Sequence, residues 1–227
     1  MDEMDLVGRL NAVGVTALSD GLDKLGIPGQ LIGIVPVVRG MKFAGRAYTV
    51  RMLPVGLTGG SVGDYIDEVP TGAVVTIDNA GILNQTVWGD ILTHVAHSKG
   101  IAATVIDGAC RDSDRCVALN YPVFSRCVTM RTAKDRATAV ASNDPIQLAG
   151  VRVEPGDWLV GDSDGVVAIP AIRVGEVIAI AEQIEDAERA IRAAVDCGRR
   201  LDDARHMFGY HSLQSGASNS GSSVERE

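Results

Sequence analysis

Two short segments hold the residue types from which a carboxylate-binding, cation-holding site can be made. The first is Gly89-Asp90-Ile91-Leu92, at the head of a helically spaced segment that runs from Asp90 to Lys99 and stops at Gly100. The first N–H groups of a helix have no intrahelical partner, so Ile91 and Leu92 offer donors to an anion. The second is Asp107-Gly108-Ala109-Cys110-Arg111-Asp112, which follows the apolar run from Ile101 to Ile106, with twenty residues between Asp90 and Arg111. In open α/β sheets, ligands collect at the carboxyl ends of strands. Arginine can grip a carboxylate through two parallel hydrogen bonds, and aspartate holds a hard cation through oxygen, so Arg111 beside Asp112 suits a divalent-metal site for an oxo-acid. The same chemistry is open to a plainer reading, an ordinary surface ion network of Asp90, Asp107, Arg111, Asp112 and Arg115.

Other candidates carry less. His94 and His97 follow Asp90 at helical spacing and could share a metal-binding face with it, but they do not satisfy a zincin motif, and a solvated or packing role is expected. Cys110 lies beside Arg111, yet no helix N-terminus or histidine is placed to activate it, and a packed thiol is expected. Asp162-Ser163-Asp164-Gly165 lacks the remaining spacing and terminal glutamate of a calcium loop and reads as a β-turn. The Gly-rich run from Thr58 to Asp64 matches neither phosphate-binding fingerprint and reads as a loop near the site mouth.

Several elements must position these groups. Apolar Ala17, Leu18, Leu22 and Leu25 predict a helix over Val15 to Leu25, ended by Gly26. Ala47 to Met52 alternates as a strand does. Ala73 to Asp78, the Asp90 to Lys99 helix and Ile101 to Ile106 then form a strand–helix–strand unit, which implies a parallel crossover. Strands are expected at Tyr121 to Phe124 and Val151 to Val153, with a hairpin over Trp158 to Ile169 turned at Asp164-Gly165. The longest helix is predicted from Arg173 to Asp196. Its apolar stripe of Val177, Ala181, Ile184, Ile191 and Val195 places Glu188 where an aliphatic side chain belongs. A carboxylate there must be paired, displayed to a site, or located where the stripe leaves the core.

With 46% hydrophobic residues among 227, the chain can bury a full core; with only 4% aromatics, that core must be aliphatic, as in an α/β domain with buried strands. The net charge of −8 repels a phosphate backbone and disfavours direct nucleic-acid binding. No apolar run is long enough to span a membrane and the acidic start is unlike a secretory leader, so a cytoplasmic protein is expected. Four cysteines without a CxxC pair predict reduced thiols. One domain over residues 1–205 is expected, with 206–227 a flexible C-terminal tail.

Gly89-Asp90-Ile91-Leu92, the twenty-residue spacing and Asp107 to Asp112 together resemble the signature of the RraA-like proteins and class II 4-hydroxy-4-methyl-2-oxoglutarate aldolases. The likeness extends to Leu18 to Gly26, Ala44 to Val50, Pro122-Val123-Phe124 and Pro155 to Val167. It implies a three-layer β/β/α domain of the swivelling type, with a central parallel crossover and a long C-terminal helix, assembled as a homotrimer or hexamer with sites between subunits. It implies Mg²⁺, Mn²⁺ or another divalent cation held at Asp112. Arg111 would bind a small 2-oxo acid, and the backbone of Gly89, Asp90, Ile91 and Leu92 would take its carboxylate. Asp90 would steady metal-bound waters, as would Glu188 reaching in from a neighbouring subunit. The implied activities are retro-aldol cleavage and oxaloacetate decarboxylation through a pyruvate enolate, with the metal in place of a Schiff-base lysine. The alternative is the family's regulator branch, which inhibits a ribonuclease by protein contact. Arg115 stands where the aldolases favour an acidic residue, with Asp114 one position earlier.

Overall fold

The chain's aliphatic strands assemble around one long strand that belongs to two pairings at once. The computed structural model describes residues 2–57, 60–210 and 213. Strand β2 (Phe43–Pro54) follows a short β1 (Val35–Pro36) and runs parallel to β3 (Val74–Thr86), with Ala47 opposite Val74 and Arg51 opposite Asp78. Next come β4 (Ala103–Cys110) and β5 (Val123–Val128), both parallel, with β1 antiparallel on the outer edge. Every residue of β4 is buried, as expected of a central parallel strand covered on both faces.

The first residues of β2 pair antiparallel with β9 (Trp158–Asp162), which turns back into β10 (Gly165–Ile169). Its last residues pair with β6 (Ala137–Ser142). The β2–β9 contact requires a bare backbone at Gly161, where an added Cβ would lie 2.2 Å from the Phe43 ring. A separate hairpin, β7 (Ile146–Leu148) with β8 (Val151–Val153), contributes Ile146, Leu148 and Val153 to the same core as Val50 and Ile77.

A second core lies under the helices. α1 (Glu3–Ala12), α2 (Val15–Lys24) and the long α5 (Val174–Asp196) close over Trp158, Val160, Val167 and Ile169. Gly21 lets α2 approach α5: a Cβ there would stand 3.1 Å from the Val177 carbonyl oxygen. The remaining helices are α3 (Asp90–Ser98) and α4 (Ser113–Ala118), which flank β4, and α6 (Leu201–Met207) after α5. Sheet, small hairpin and helical cover form the mixed α/β architecture with a parallel crossover and a long C-terminal helix. Among the described residues no helix is long and apolar enough to cross a membrane.

The expected helices, β8 and the hairpin strands are present within a residue, whereas β2 begins four residues earlier and β5 ends four later than expected; Gly26, Gly100 and Gly198 adopt the left-handed backbone of helix stops. The hairpin turn differs by one position. Asp162 pairs with Gly165, so Ser163-Asp164 forms the turn, fixed by the Asp164 N–H on Asp162 Oδ1. β3 does not stop at Asp78. It bulges through Ala80 and Gly81, both at positive φ, with the Ala80 N–H on Asp78 Oδ1, and continues to Thr86. β4 likewise runs on to Cys110, so Asp107 is a buried strand residue and not part of a terminal loop. α6 extends to Met207, and the expected tail beyond Tyr210 lies, apart from Leu213, outside the described residues.

Candidate active site

The site is built where α3 begins, because two connections place their residues against its first turn. After β3, Val87 and Trp88 lead into α3, and Trp88 is almost wholly buried. Its indole N–H donates to Thr93 Oγ1 at 2.9 Å, and the Thr93 hydroxyl donates in turn to the Gly89 carbonyl at 2.9 Å. Thr86 Oγ1 donates to the Trp88 carbonyl, which also takes the Arg111 N–H at 3.0 Å. The turn before α3 and the turn after β4 are therefore held to each other by backbone and buried hydroxyl groups.

Asp112 crosses that seam. It precedes α4 in a left-handed conformation (φ 57°, ψ 41°), unusual for a residue with a Cβ. Its Oδ2 accepts the Asp90 N–H at 3.0 Å and lies 3.2 Å from Arg111 Nε. The N-terminus of α3, which has no side-chain cap of its own, is thus met by a carboxylate twenty-two positions along the chain. Gly89 makes this possible: a Cβ there would sit 2.9 Å from Asp112 Oδ2 and 3.2 Å from Arg111 Nε. Of the N–H groups expected to be open to a substrate anion, that of Asp90 is already taken by the protein's own carboxylate, while Ile91 and Leu92 lie in the first turn and have no intrahelical partner.

Arg111 and the first turn of α3 open onto a cavity of about 400 Å³, while Asp112 lies behind them and is not among its lining residues. Gly89, Asp90, Ile91, Leu92 and Arg111 line it together with Val62, Asp64, Ile66, Asp67, Thr132 and Ala133. Residues 61–64 belong to the segment expected to sit at the site mouth; Thr58 and Gly59, at the start of that Gly-rich run, lie outside the described residues. Asp67 and Thr132 were not legible as site residues, because a loop and a short 3₁₀ turn (Asp64–Glu68) give no periodicity that would orient them.

The other candidates separate from this group. Asp107 pairs with Arg126, and its second oxygen takes the Ala149 N–H at 2.7 Å, so it braces the β7–β8 hairpin and does not join Arg111. Arg115 meets His94 Nδ1 at 3.1 Å, and neither residue lines the cavity. The five-membered surface network is therefore divided into at least three local contacts. Among the described residues no three His, Cys, Asp or Glu side chains converge as a metal cage, Asp90 with His94 and His97 included. Cys110 is buried, and burial pushes its thiol up to about 11, consistent with a packed and unreactive group.

Glu188 is not brought to the cavity by its own chain. It lies on α5, where it accepts from Arg192 at 3.3 Å and from the Tyr210 hydroxyl at 3.2 Å. The apolar stripe leaves the core only at its last position: Ile184 and Ile191, on either side of Glu188, are buried, and Val195 is exposed.

Comparison with known proteins gives this arrangement a family. The RraA-like profile, described as Aldolase/RraA, matches residues 15–168. Protein DlpA of Legionella pneumophila is 38% identical over 91% of this chain, although the chain spans only 34% of that longer relative. A protein of Halalkalibacterium halodurans that carries a proposed 4-hydroxy-4-methyl-2-oxoglutarate aldolase name is 32% identical, over 85% of this chain and 90% of its own. The crystal structure of Streptomyces coelicolor RraAS2, described as an unusual member of the RNase ES inhibitor RraA family, superposes with a TM-score of 0.78 at 29% identity, covering 85% of this chain and 97% of that one. With the profile spanning the crossover and both site segments, and an aldolase-named relative matched over nearly its whole length, the chain belongs to the RraA-like family.

Proposed function

We propose that the protein is a divalent-metal-dependent lyase acting on small 2-oxo acids. The reactions are retro-aldol cleavage of 4-hydroxy-4-methyl-2-oxoglutarate-type substrates, oxaloacetate decarboxylation, or both, through the enolate of pyruvate. The observation that carries the reading is the contact of the Asp112 carboxylate with Arg111 and with the first turn of α3, two groups that line one cavity. The aldolase name borne by the H. halodurans relative points to the same chemistry.

The donor set suits Mg²⁺ or Mn²⁺. Ions of this kind keep several waters and need only one or two protein carboxylates beside substrate oxygens. Asp112 would hold the ion, because Oδ2 is engaged by backbone and Arg111 while Oδ1 has no hydrogen-bond partner among the described residues. When bound, the ion supplies Lewis acidity at the 2-oxo group. Arg111 contacts Asp112 through Nε, leaving its two terminal nitrogens to grip the substrate and offset charge developing on the enolate oxygen. The N–H groups of Ile91 and Leu92 would take the substrate carboxylate. For retro-aldol cleavage, Asp90 and the Glu188 of a neighbouring subunit in a homotrimer or hexamer would polarise the water that removes the distal hydroxyl proton.

The test is pyruvate release from 4-hydroxy-4-methyl-2-oxoglutarate and oxaloacetate with Mg²⁺ or Mn²⁺, with EDTA, and with the Arg111→Ala and Asp112→Ala variants. Turnover that requires metal and is abolished by both substitutions supports the lyase. If neither substrate yields pyruvate above the metal-only background, the lyase reading fails for these substrates. The regulator reading, favoured by the likeness to RraAS2, then predicts inhibition of an RNase E-type enzyme by the folded protein.

A further inference from the structure

Resting on the lyase reading and on the place it gives Glu188, we infer that Tyr210 is a positioning residue for the retro-aldol reaction, its phenol orienting the Glu188 carboxylate that a neighbouring site uses. Glu188 stands on α5 between two buried positions of the apolar stripe, yet its own side chain is 35% exposed. A carboxylate that polarises a water must hold one orientation, which a long side chain at a helix surface does not keep unaided. Both of its oxygens are engaged. Oε2 accepts from Arg192 Nη1 at 3.3 Å and Oε1 from the Tyr210 hydroxyl at 3.2 Å. A carboxylate oxygen can accept more than one hydrogen bond, so this pairing fixes the plane of the group and still lets it accept from a water.

The two donors are not equivalent. Arg192 lies one helical turn along α5 with its side chain 65% exposed, a surface pair of the kind that holds geometry weakly. Tyr210 comes from outside the helix, on a hook built to return it. Gly198, at φ 85°, follows the end of α5, and α6 packs back against α5 and buries Ala204 completely. Gly209, at φ 63°, then turns the chain after α6, and Tyr210 meets Glu188. The Arg205 guanidinium lies 5.5 Å from the centre of the Tyr210 ring and braces its face. A phenol with few torsions, held on its face by a cation and at its hydroxyl by a carboxylate, is the rigid member of the pair.

The two proposed reactions differ in their need for this carboxylate. In retro-aldol cleavage a base takes the proton of the C4 hydroxyl, the C3–C4 bond breaks with its electron pair passing to the enolate of pyruvate, and C4 leaves as a carbonyl carbon. In oxaloacetate decarboxylation the C3–C4 bond breaks in the same sense, but C4 leaves as carbon dioxide and no hydroxyl proton is removed. C3 of the enolate then takes a proton, which balances the one removed in the first reaction and is drawn from solvent in the second. Tyr210, acting through Glu188, therefore serves the first reaction and not the second.

The experiment measures kcat and KM for pyruvate release by the wild-type full chain, Tyr210→Phe and Glu188→Gln with Mn²⁺. The substrates are 4-hydroxy-4-methyl-2-oxoglutarate and oxaloacetate, and oligomer mass and thermal unfolding are read on the same preparations. In Tyr210→Phe, kcat for the hydroxy acid should fall about tenfold with KM within about twofold of wild type, while kcat/KM for oxaloacetate stays within about twofold. Mass and unfolding temperature should not change. A fall shared by both substrates, a change confined to KM, or a loss of mass or thermal stability gives Tyr210 a merely structural role and overturns the inference. Wild-type kinetics in Tyr210→Phe, or a wild-type retro-aldol kcat in Glu188→Gln, also overturns it and leaves the lyase standing, as does a wild-type protein that only decarboxylates. If the wild type only cleaves the hydroxy acid, the split between kcat and KM decides alone. Absence of turnover on both substrates removes the lyase reading and this inference with it.

Discussion

A single methyl group placed at Gly89 should separate the site from the fold. The backbone there is extended (φ −150°, ψ −165°), a conformation alanine adopts without strain, so Gly89→Ala asks for space and not for a new chain path. The space is missing on one side only. The new Cβ would stand 2.9 Å from Asp112 Oδ2 and 3.2 Å from Arg111 Nε, so the carboxylate must shift by a few tenths of an ångström. That shift lengthens the Asp90 N–H bond to Oδ2. A charge-assisted bond of this type is worth about 1.5–3 kcal/mol when shielded. The Asp112 side chain is 37% exposed, so water recovers much of the loss and about 1 kcal/mol of stability remains at stake. In a chain of this size that is a fall of about 2–4 °C in Tm. The site should respond more strongly, since displacing groups that hold or orient a metal costs about 10–100-fold in affinity or activity. The assay is lactate dehydrogenase-coupled pyruvate release over an Mn²⁺ titration, read beside thermal unfolding of the same preparation. Wild-type kcat/KM and wild-type metal dependence in the alanine variant would refute the placement of Asp112. Outright unfolding would refute the claim that only the site is crowded.

Thr93→Val should lower stability by about 1–3 kcal/mol, because it leaves the buried Trp88 indole N–H and the Gly89 carbonyl without the hydroxyl that joins them; it should also weaken Mn²⁺ dependence, and Thr93→Ser should restore both in urea denaturation and the coupled assay. Asp107→Asn breaks a largely buried pair with Arg126 and should cost about 2–3 kcal/mol by denaturant titration, with activity per folded molecule retained because the pair lies outside the cavity. Thiol labelling at pH 8 should modify exposed Cys197 first and reach Cys110 and Cys116 only on unfolding. The same burial sets a sign for alkaline stability. Cys110 in the folded chain titrates near 11, above its ordinary 9.0, so between those values the unfolded chain has lost a proton that the native one keeps, and stability should fall as pH rises past about 9. A stability plateau through that range would contradict the burial of this thiol.

The sequence was most informative where burial and periodicity coincide. The aliphatic run of β4 and the spacing of α2, α3 and α5 fix their types, and glycines at positive φ fix three of their ends. The pair Arg111-Asp112 was legible as chemistry because two adjacent charges follow a buried strand. What Asp112 contacts was not. Its hydrogen bond to Asp90 spans twenty-two positions, and a left-handed aspartate ahead of a six-residue helix leaves no pattern in composition or period. The bulge at Ala80 and Gly81 hid the second half of β3 for a similar reason, since Asp78-Asn79-Ala80-Gly81 has the residue types of a turn and only the pairing beyond it shows that the strand continues. α1 and α6 were missed because each buries few side chains, Leu6 and Leu10 in one and Ala204 in the other, too few for an amphipathic stripe to stand out.

Glu188 poses the sharpest remaining test, because its own chain ties it to Arg192 and Tyr210 on the helical side of the molecule. A catalytic role therefore demands a second subunit, and the demand can be measured without a structure of the assembly. Glu188→Gln and Arg111→Ala should each be inactive when purified alone. If the site is shared, a subunit with intact Arg111 can meet a neighbour with intact Glu188 once the two variants are mixed, unfolded and refolded together. In a closed ring assembled at random from equal amounts, about a quarter of the interfaces satisfy both conditions, so about a quarter of wild-type activity should return. A site contained in one chain can regain nothing by mixing, since every subunit still carries one of the two lesions. Recovery would establish that Arg111 and Glu188 of one site come from different subunits. Failure in mixtures shown by mass to contain mixed oligomers, with Glu188→Gln itself inactive, would mean that Glu188 acts within its own chain through α5 and Tyr210. An active Glu188→Gln variant would leave Arg111, Asp112 and Asp90 as the whole of the chemistry.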